Sequence, residues 1–178
     1  MNRAIPFVLY LLTAVFVSSC ANGIHSKTGG VPLSVSPTPA EISSSEKVVK
    51  VSSSPITIPQ NGSAEAVVTL SISPGFHINA NPATFPYLIA TELKASKVEG
   101  ITVDTPSYPA AEKKKFQFAE QPLAVYEGEV SVKLNLGTEK NATAGLRSLP
   151  ITIRIQACDN EQCFPPATLN TTIAVDVK

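Results

Sequence analysis

The stretch QACDNEQCFPP, Gln156 to Pro166, holds the residues best suited to chemistry. Cys158 and Cys163 stand five positions apart, with Asp159 and Glu161 between them and Pro165 and Pro166 just beyond. Two thiols so placed can staple a turn, contribute to a metal site, or exchange disulfides with other thiols. A staple here closes a loop of about six residues and restricts the unfolded chain by only about 2 kcal/mol. Zinc sites want four ligands, commonly as two pairs. No second cysteine pair exists, and His77 is the one histidine in the segment that reads as folded. A short-range disulfide near a strand end is the kind that exchanges. Negative charge nearby raises a thiol pKa, so Asp159 and Glu161 favour a thiol that stays quiet until a partner docks. Pro165 and Pro166 stiffen the chain after Cys163 and set its direction.

Strands must position this pair. Apolar residues recur at every second position in AVVTLSI (Ala66, Val68, Leu70, Ile72) and EVSVKLNL (Val130, Val132, Leu134, Leu136). They do so again in ITIRIQA (Ile151, Ile153, Ile155, Ala157) and LNTTIAVDV (Leu169, Thr171, Ile173, Val175, Val177). A period of two over such runs predicts half-buried strands. PQNGS, SPG, NPATFP, EG and GTEKNATAG read as the turns between them. PYLIATELKAS is the one helical candidate, but Pro86, Ile89 and Thr91 favour a strand near ATELKA. Seven or more short antiparallel strands predict an all-β, immunoglobulin-like sandwich. Cys158 closes the strand ITIRIQAC and leaves its core face, and the next strand starts near Thr168. His77 alternates with core candidates Phe76 and Ile78, which predicts that it faces outward. Tyr126 and the EG turn are expected to serve the fold.

The chain has 178 residues and a formal net charge of +0, so nothing points to nucleic acid. Its start, MNRAIPFVLYLLTAVFVSSC, has one positive charge, an apolar run too short to span a membrane, then small residues before a cysteine. That is the layout of a secretory signal, and it resembles a bacterial lipobox, in which Cys20 becomes the lipidated first residue. The expected organisation is a signal peptide over residues 1–19, an anchor and flexible tether over 20–46, and one domain over 47–178. The Ser- and Pro-rich tether lacks apolar periodicity, and its His25 carries no role. With Cys20 lipidated, Cys158 and Cys163 remain as a pair in an oxidising compartment. The sequons at Asn61, Asn141 and Asn170 matter only in a eukaryotic secretory pathway, against which the lipobox argues.

IQACDNEQCFPPATLNTTIAV, preceded by SPGFHIN and AVYEGEVSVKLNL, resembles the N-terminal periplasmic domain family of the thiol:disulfide interchange protein DsbD. The likeness runs over about residues 65–177. It implies an immunoglobulin-like sandwich with one redox-active pair, taking electrons from a thioredoxin-like domain. It would pass them to exported thiol proteins such as disulfide isomerases and cytochrome c maturation factors. By the same resemblance, Cys163 forms the mixed disulfides and Cys158 resolves them. A cap loop with an aromatic tip falls on EKKKFQFAEQP, with Phe116 or Phe118 as the tip, and His77 and Asn79 fall beside the pair. No cofactor, metal or small-molecule substrate is implied, and the membrane is met through lipid alone.

Departures from the family pattern qualify the transfer. Four residues separate these cysteines, where a familiar member has five, and Lys113, Lys114 and Lys115 replace an acidic approach to the cap. This sequence carries no membrane conduit or thioredoxin domain, so the expected electron donor is a separate protein. Phe116 and Phe118 read equally as core residues of an ordinary strand, and the lysine run as a solvated face. Two further functions stay open: a protein-binding lipoprotein module with a structural disulfide, and a metal-delivery lipoprotein. Localisation is expected at the cell envelope, facing the periplasm. Ala21 after Cys20 points towards the outer membrane.

Overall fold

The structure is a computed structural model and describes residues 44–178. The expected signal peptide, Cys20, His25 and all but the end of the expected tether lie outside the described residues. After a 3-10 turn at Ser45–Lys47 come β1 (Val49–Ser53), β2 (Ile56–Ile58), β3 (Ser63–Ile72) and β4 (His77–Asn79). Then follow β5 (Glu92–Ala95), β6 (Ile101–Val103), β7 (Glu112–Lys114) and β8 (Leu123–Tyr126). The last four are β9 (Glu129–Thr138), β10 (Gly145–Ile155), β11 (Ala157–Cys158) and β12 (Ala167–Val177).

The four sequence runs with alternating apolar residues become the four longest strands. In β3, Ala66, Val68, Leu70 and Ile72 are buried, and in β9 Val130, Val132, Leu134 and Leu136 are. Ile151, Ile153 and Ile155 of β10 and Ile173, Val175 and Val177 of β12 turn the same way. One sheet has the order β1-β3-β9-β6 and a second the order β2-β12-β10-β5. Their apolar faces share one core, which makes the domain an immunoglobulin-like sandwich. The candidate near ATELKA is the strand β5, not a helix.

One pairing departs from the antiparallel expectation, because β2 runs parallel to β12. Pro55 has no N–H to continue the ladder of β1, and the chain crosses to the other sheet there. The Ser53 hydroxyl marks the crossing by donating to the Thr172 carbonyl at 3.0 Å.

A third sheet, β11-β4-β8-β7, was not foreseen as a separate unit. Its strands are short, and all three residues of β4 are buried. On one face, Ile78 and Tyr126 join the main core. On the other, Phe116, Leu123 and Val125 form a satellite core with Phe85, Leu88 and Ala119. Tyr126 serves the fold as expected, its hydroxyl donating to the Pro109 carbonyl at 3.2 Å.

Candidate functional site

Strand β10 ends at Ile155, and the chain then leaves its sheet. Gln156 makes the step, and β11 pairs with β4 so that Cys158 lies opposite His77. Cys158 and Cys163 face each other across a small hairpin and are joined by a disulfide, with their Cα atoms 3.9 Å apart. The bonds Asp159 N–H to Gln162 C=O and Phe164 N–H to Ala157 C=O, at 2.9 and 2.8 Å, flank the pair. The cysteines therefore occupy a position with no ladder bonds of its own, where facing residues come closest. The tip is held by Asp159, whose Oδ1 accepts the N–H groups of Glu161 and Gln162 at 2.8 Å each. Phe164 anchors the base in the main core, its ring 5.9 Å from that of Phe76. The two sulfurs are not equally accessible: Cys158 is fully buried and Cys163 is half-buried.

The hairpin keeps its shape through bonds that do not involve sulfur. Replacing both Cys158 and Cys163 by Ser should therefore leave a folded domain that is less stable by about 2 kcal/mol. Denaturant unfolding measures this, and an unfolded double variant at room temperature would support the staple reading.

His77 is 1% exposed, which corrects the expectation that it faces outward. The alternation itself holds, since Ile78 enters the main core. The opposite face of β4 is covered too: the Phe116 ring stacks on the imidazole with centroids 4.0 Å apart and planes 15° off parallel. Burial pushes the His77 pKa down to about 4; Glu127 and Asp159 oppose this, and Lys114 adds to it. The ring is therefore neutral at pH 7, and its Nε2 has no hydrogen-bond partner.

Phe116 and Phe118 belong to no strand but to the turn between β7 and β8. Phe118 stacks outside Phe116 at 5.5 Å and is 39% exposed, so three rings run outward from His77. Two of the three lysines brace this turn rather than standing free. Lys114 pairs with Glu127 and, at 3.6 Å, with Glu112. Lys115 donates to the carbonyls of Ala119, at 2.7 Å, and Glu120. A cleft of about 530 Å³ opens here, and its lining includes His77, Phe116, the three lysines and Asn160 of the cysteine loop.

Asn79 lies on the same face of β4 as His77. Its amide donates to the Ile89 carbonyl at 3.1 Å and to Gln156 Oε1 at 3.3 Å, while its Oδ1 is buried without a partner. Gln156 is a residue that pattern reading passed over. Its Oε1 also accepts the Ile89 N–H at 3.3 Å, and its Nε2 donates to the Phe164 carbonyl at 3.4 Å. It thus ties β4, the segment before β5 and the far side of the cysteine hairpin together. Ser45 was missed as well, having been assigned to the tether, yet it is fully buried against the hairpin base.

A family model described as the N-terminal part of thiol:disulfide interchange protein DsbD matches residues 43–174. The chain belongs to this DsbD N-terminal family. Among solved structures, it is similar to the Neisseria meningitidis DsbD N-terminal domain in the reduced form. That likeness has 18% identity and a TM-score of 0.44, and covers 62% of this chain and 77% of the other. It is also similar to the N-terminal periplasmic domain of ScsB from Proteus mirabilis, at 16% identity and a TM-score of 0.43. The match covers 72% of this chain but spans only 45% of the ScsB chain. AggA, a fimbrial major subunit from Escherichia coli, matches at 8% identity and a TM-score of 0.42, over 73% of this chain and 94% of that one. No curated protein sequence is significantly similar to the chain. Membership of the DsbD N-terminal family places the chain among thiol–disulfide interchange proteins, and Cys158 and Cys163, which lie within the matched residues, are joined by a disulfide.

Proposed function

We propose that the domain shuttles electrons between thioredoxin-like proteins on the periplasmic side of a membrane, through the Cys158–Cys163 pair. The observation that carries this reading is the unequal placement of the two sulfurs, Cys158 fully buried and Cys163 half-buried on one hairpin. A partner's sulfur can reach Cys163 first, and Cys158 stands behind it to complete the exchange. The reaction needs no cofactor: a thiolate attacks a disulfide and a second thiolate leaves. Family membership supports the reaction type, and the turn carrying Phe116 and Phe118 supports a shielded pair.

A second reading, a structural bridge in a protein-binding module, draws on the same hairpin. A cross-strand position without ladder bonds is a natural place for a staple. The reduction potential separates the two. A value below about −300 mV marks a bridge that resists reduction, and a higher one marks a pair that exchanges.

Cys20 is proposed as the lipid attachment point, with residues 1–19 removed and the following residues, up to about 46, serving as tether. The lipobox-like VSSC and the Ser- and Pro-rich stretch after it motivate this. Cys20→Ser should release the protein from the membrane fraction or block its maturation. A variant that stays membrane-bound and fully processed would exclude the anchor.

A further inference from the structure

The base of the cysteine hairpin has a gap in its ladder, and Ser45 fills it. Phe164 N–H reaches the Ala157 carbonyl at 2.8 Å, but the reciprocal bond is not made. The Phe164 carbonyl instead accepts from Gln156 Nε2 at 3.4 Å. The next two residues, Pro165 and Pro166, have no N–H to offer. The Ala157 N–H thus has no backbone partner on the opposite arm, and the Pro165 carbonyl accepts from no N–H of the hairpin. The Ser45 hydroxyl stands between them: it accepts the Ala157 N–H at 2.9 Å and donates to the Pro165 carbonyl at 2.6 Å. Its own N–H reaches the same carbonyl at 3.3 Å. One fully buried oxygen joins the two arms of the hairpin, one residue before Cys158 and two residues after Cys163.

We infer that Ser45 is a positioning residue for disulfide exchange, holding the two thiols together when the covalent bond between them is open. The inference rests on the exchange reading above. In the oxidised protein the disulfide already holds the arms, so the hydroxyl is redundant for their spacing. In the reduced protein and in the mixed disulfide, the arms depend on hydrogen bonds. When Cys163 is bonded to a partner's sulfur, the Cys158 thiolate must attack Cys163 Sγ. The Cys158–Cys163 bond then forms, the bond from Cys163 to the partner breaks, and the partner leaves as a thiolate with the electron pair. The domain is oxidised by two electrons and the partner's disulfide is reduced. The rate of that step follows the local concentration of one sulfur at the other, which the arm spacing sets. By linkage, whatever holds the arms in the reduced state also favours closing the disulfide.

The test compares the native domain with Ser45→Ala and Ser45→Thr, each equilibrated in dithiothreitol buffers of graded potential. Loss of the two bonds should make the Ser45→Ala disulfide easier to reduce by about fivefold in the equilibrium constant, and Ser45→Thr, which keeps the hydroxyl, should stay nearer to the native value. An Ala variant that loses stability but keeps the native equilibrium constant would make Ser45 merely structural and overturn the inference. A second measurement needs no variant. In the reduced native domain the Ala157 amide should stay protected from hydrogen exchange, and free exchange at that amide would likewise overturn it. Both readouts use a small-molecule reductant. A domain that meets them but forms no adduct with any thioredoxin-like protein would refute the shuttle reading alone.

Discussion

Cys158→Ser, expressed in its own host, should accumulate covalent adducts with thioredoxin-like proteins, and Cys163→Ser should accumulate few. The two sulfurs differ in access, since Cys158 is 0% exposed while Cys163 stands half-buried at the end of the loop. On the proposed exchange, an incoming sulfur would therefore meet Cys163. On the same proposal the mixed disulfide would be short-lived, because the resolving thiol is already held across a hairpin with the Cα atoms 3.9 Å apart. Intramolecular attack from so close corresponds to effective concentrations far above those of any free thiol, so removing it should raise adduct levels by about a hundredfold or more. Non-reducing gels followed by mass spectrometry read the result. Equal trapping by both variants would remove the division of roles. Trapping by neither would sink the exchange function itself.

The second large effect is expected from Phe116→Ala. The lost ring covers His77 at 4.0 Å and helps to form the satellite core, so the local loss is about 3–5 kcal/mol at most. The main core does not include Phe116, and the sandwich should persist. Two readouts follow. Solvent should reach His77 and raise its pKa from about 4 towards the ordinary value of about 6.5. In the native domain the folded pKa lies below the unfolded one, so the unfolded chain takes up the proton first as pH falls. His77 stabilisation is then complete above pH ~6.5, declines as pH falls towards ~4, and changes no further below that. Phe116→Ala should flatten this slope in denaturant midpoints measured across the window. The second readout is the rate of disulfide reduction by dithiothreitol. If the turn shields the pair, the rate should rise by about tenfold, the effect of removing an opening step of only about 1.4 kcal/mol. An unchanged rate together with an unchanged pH profile would leave the turn without a capping role.

What pattern reading recovered and what it missed follow from how each residue is buried. The long strands could be read because each has one face in the main core and one outside, which writes a period of two into the residues from Val130 to Leu136 or Ile151 to Ile155. The pair itself stood out by residue type and spacing. The third sheet left no such trace. β4 has three residues, β11 has two, and β4 is covered on both faces. A local rule placed His77 opposite Ile78 correctly, but it could not know that Phe116 arrives from a distant turn to cover that side. Ser45 is harder still. A serine in a Ser-rich stretch reads as solvated, and its partners lie 112 and 120 positions along the chain. Gln156 could have drawn attention as a polar residue between a buried strand and a cysteine, a place where backbone groups need partners.

The placement of the cysteine hairpin also bears on when the disulfide can first close. β10 and β12 form an unbroken antiparallel ladder from Gly145 opposite Val177 to Ile155 opposite Ala167. The cysteines lie in the connection at its inner end. They are brought together by contacts local in the chain, and hairpins of this kind form in about 1–10 μs. The pairing of β11 with β4 and the arrival of Ser45 require far longer loops to close and come later. A newly exported chain can thus join the correct two sulfurs while the rest of the sandwich is still assembling. Oxidation at that stage would lock in native register instead of trapping a misfolded chain.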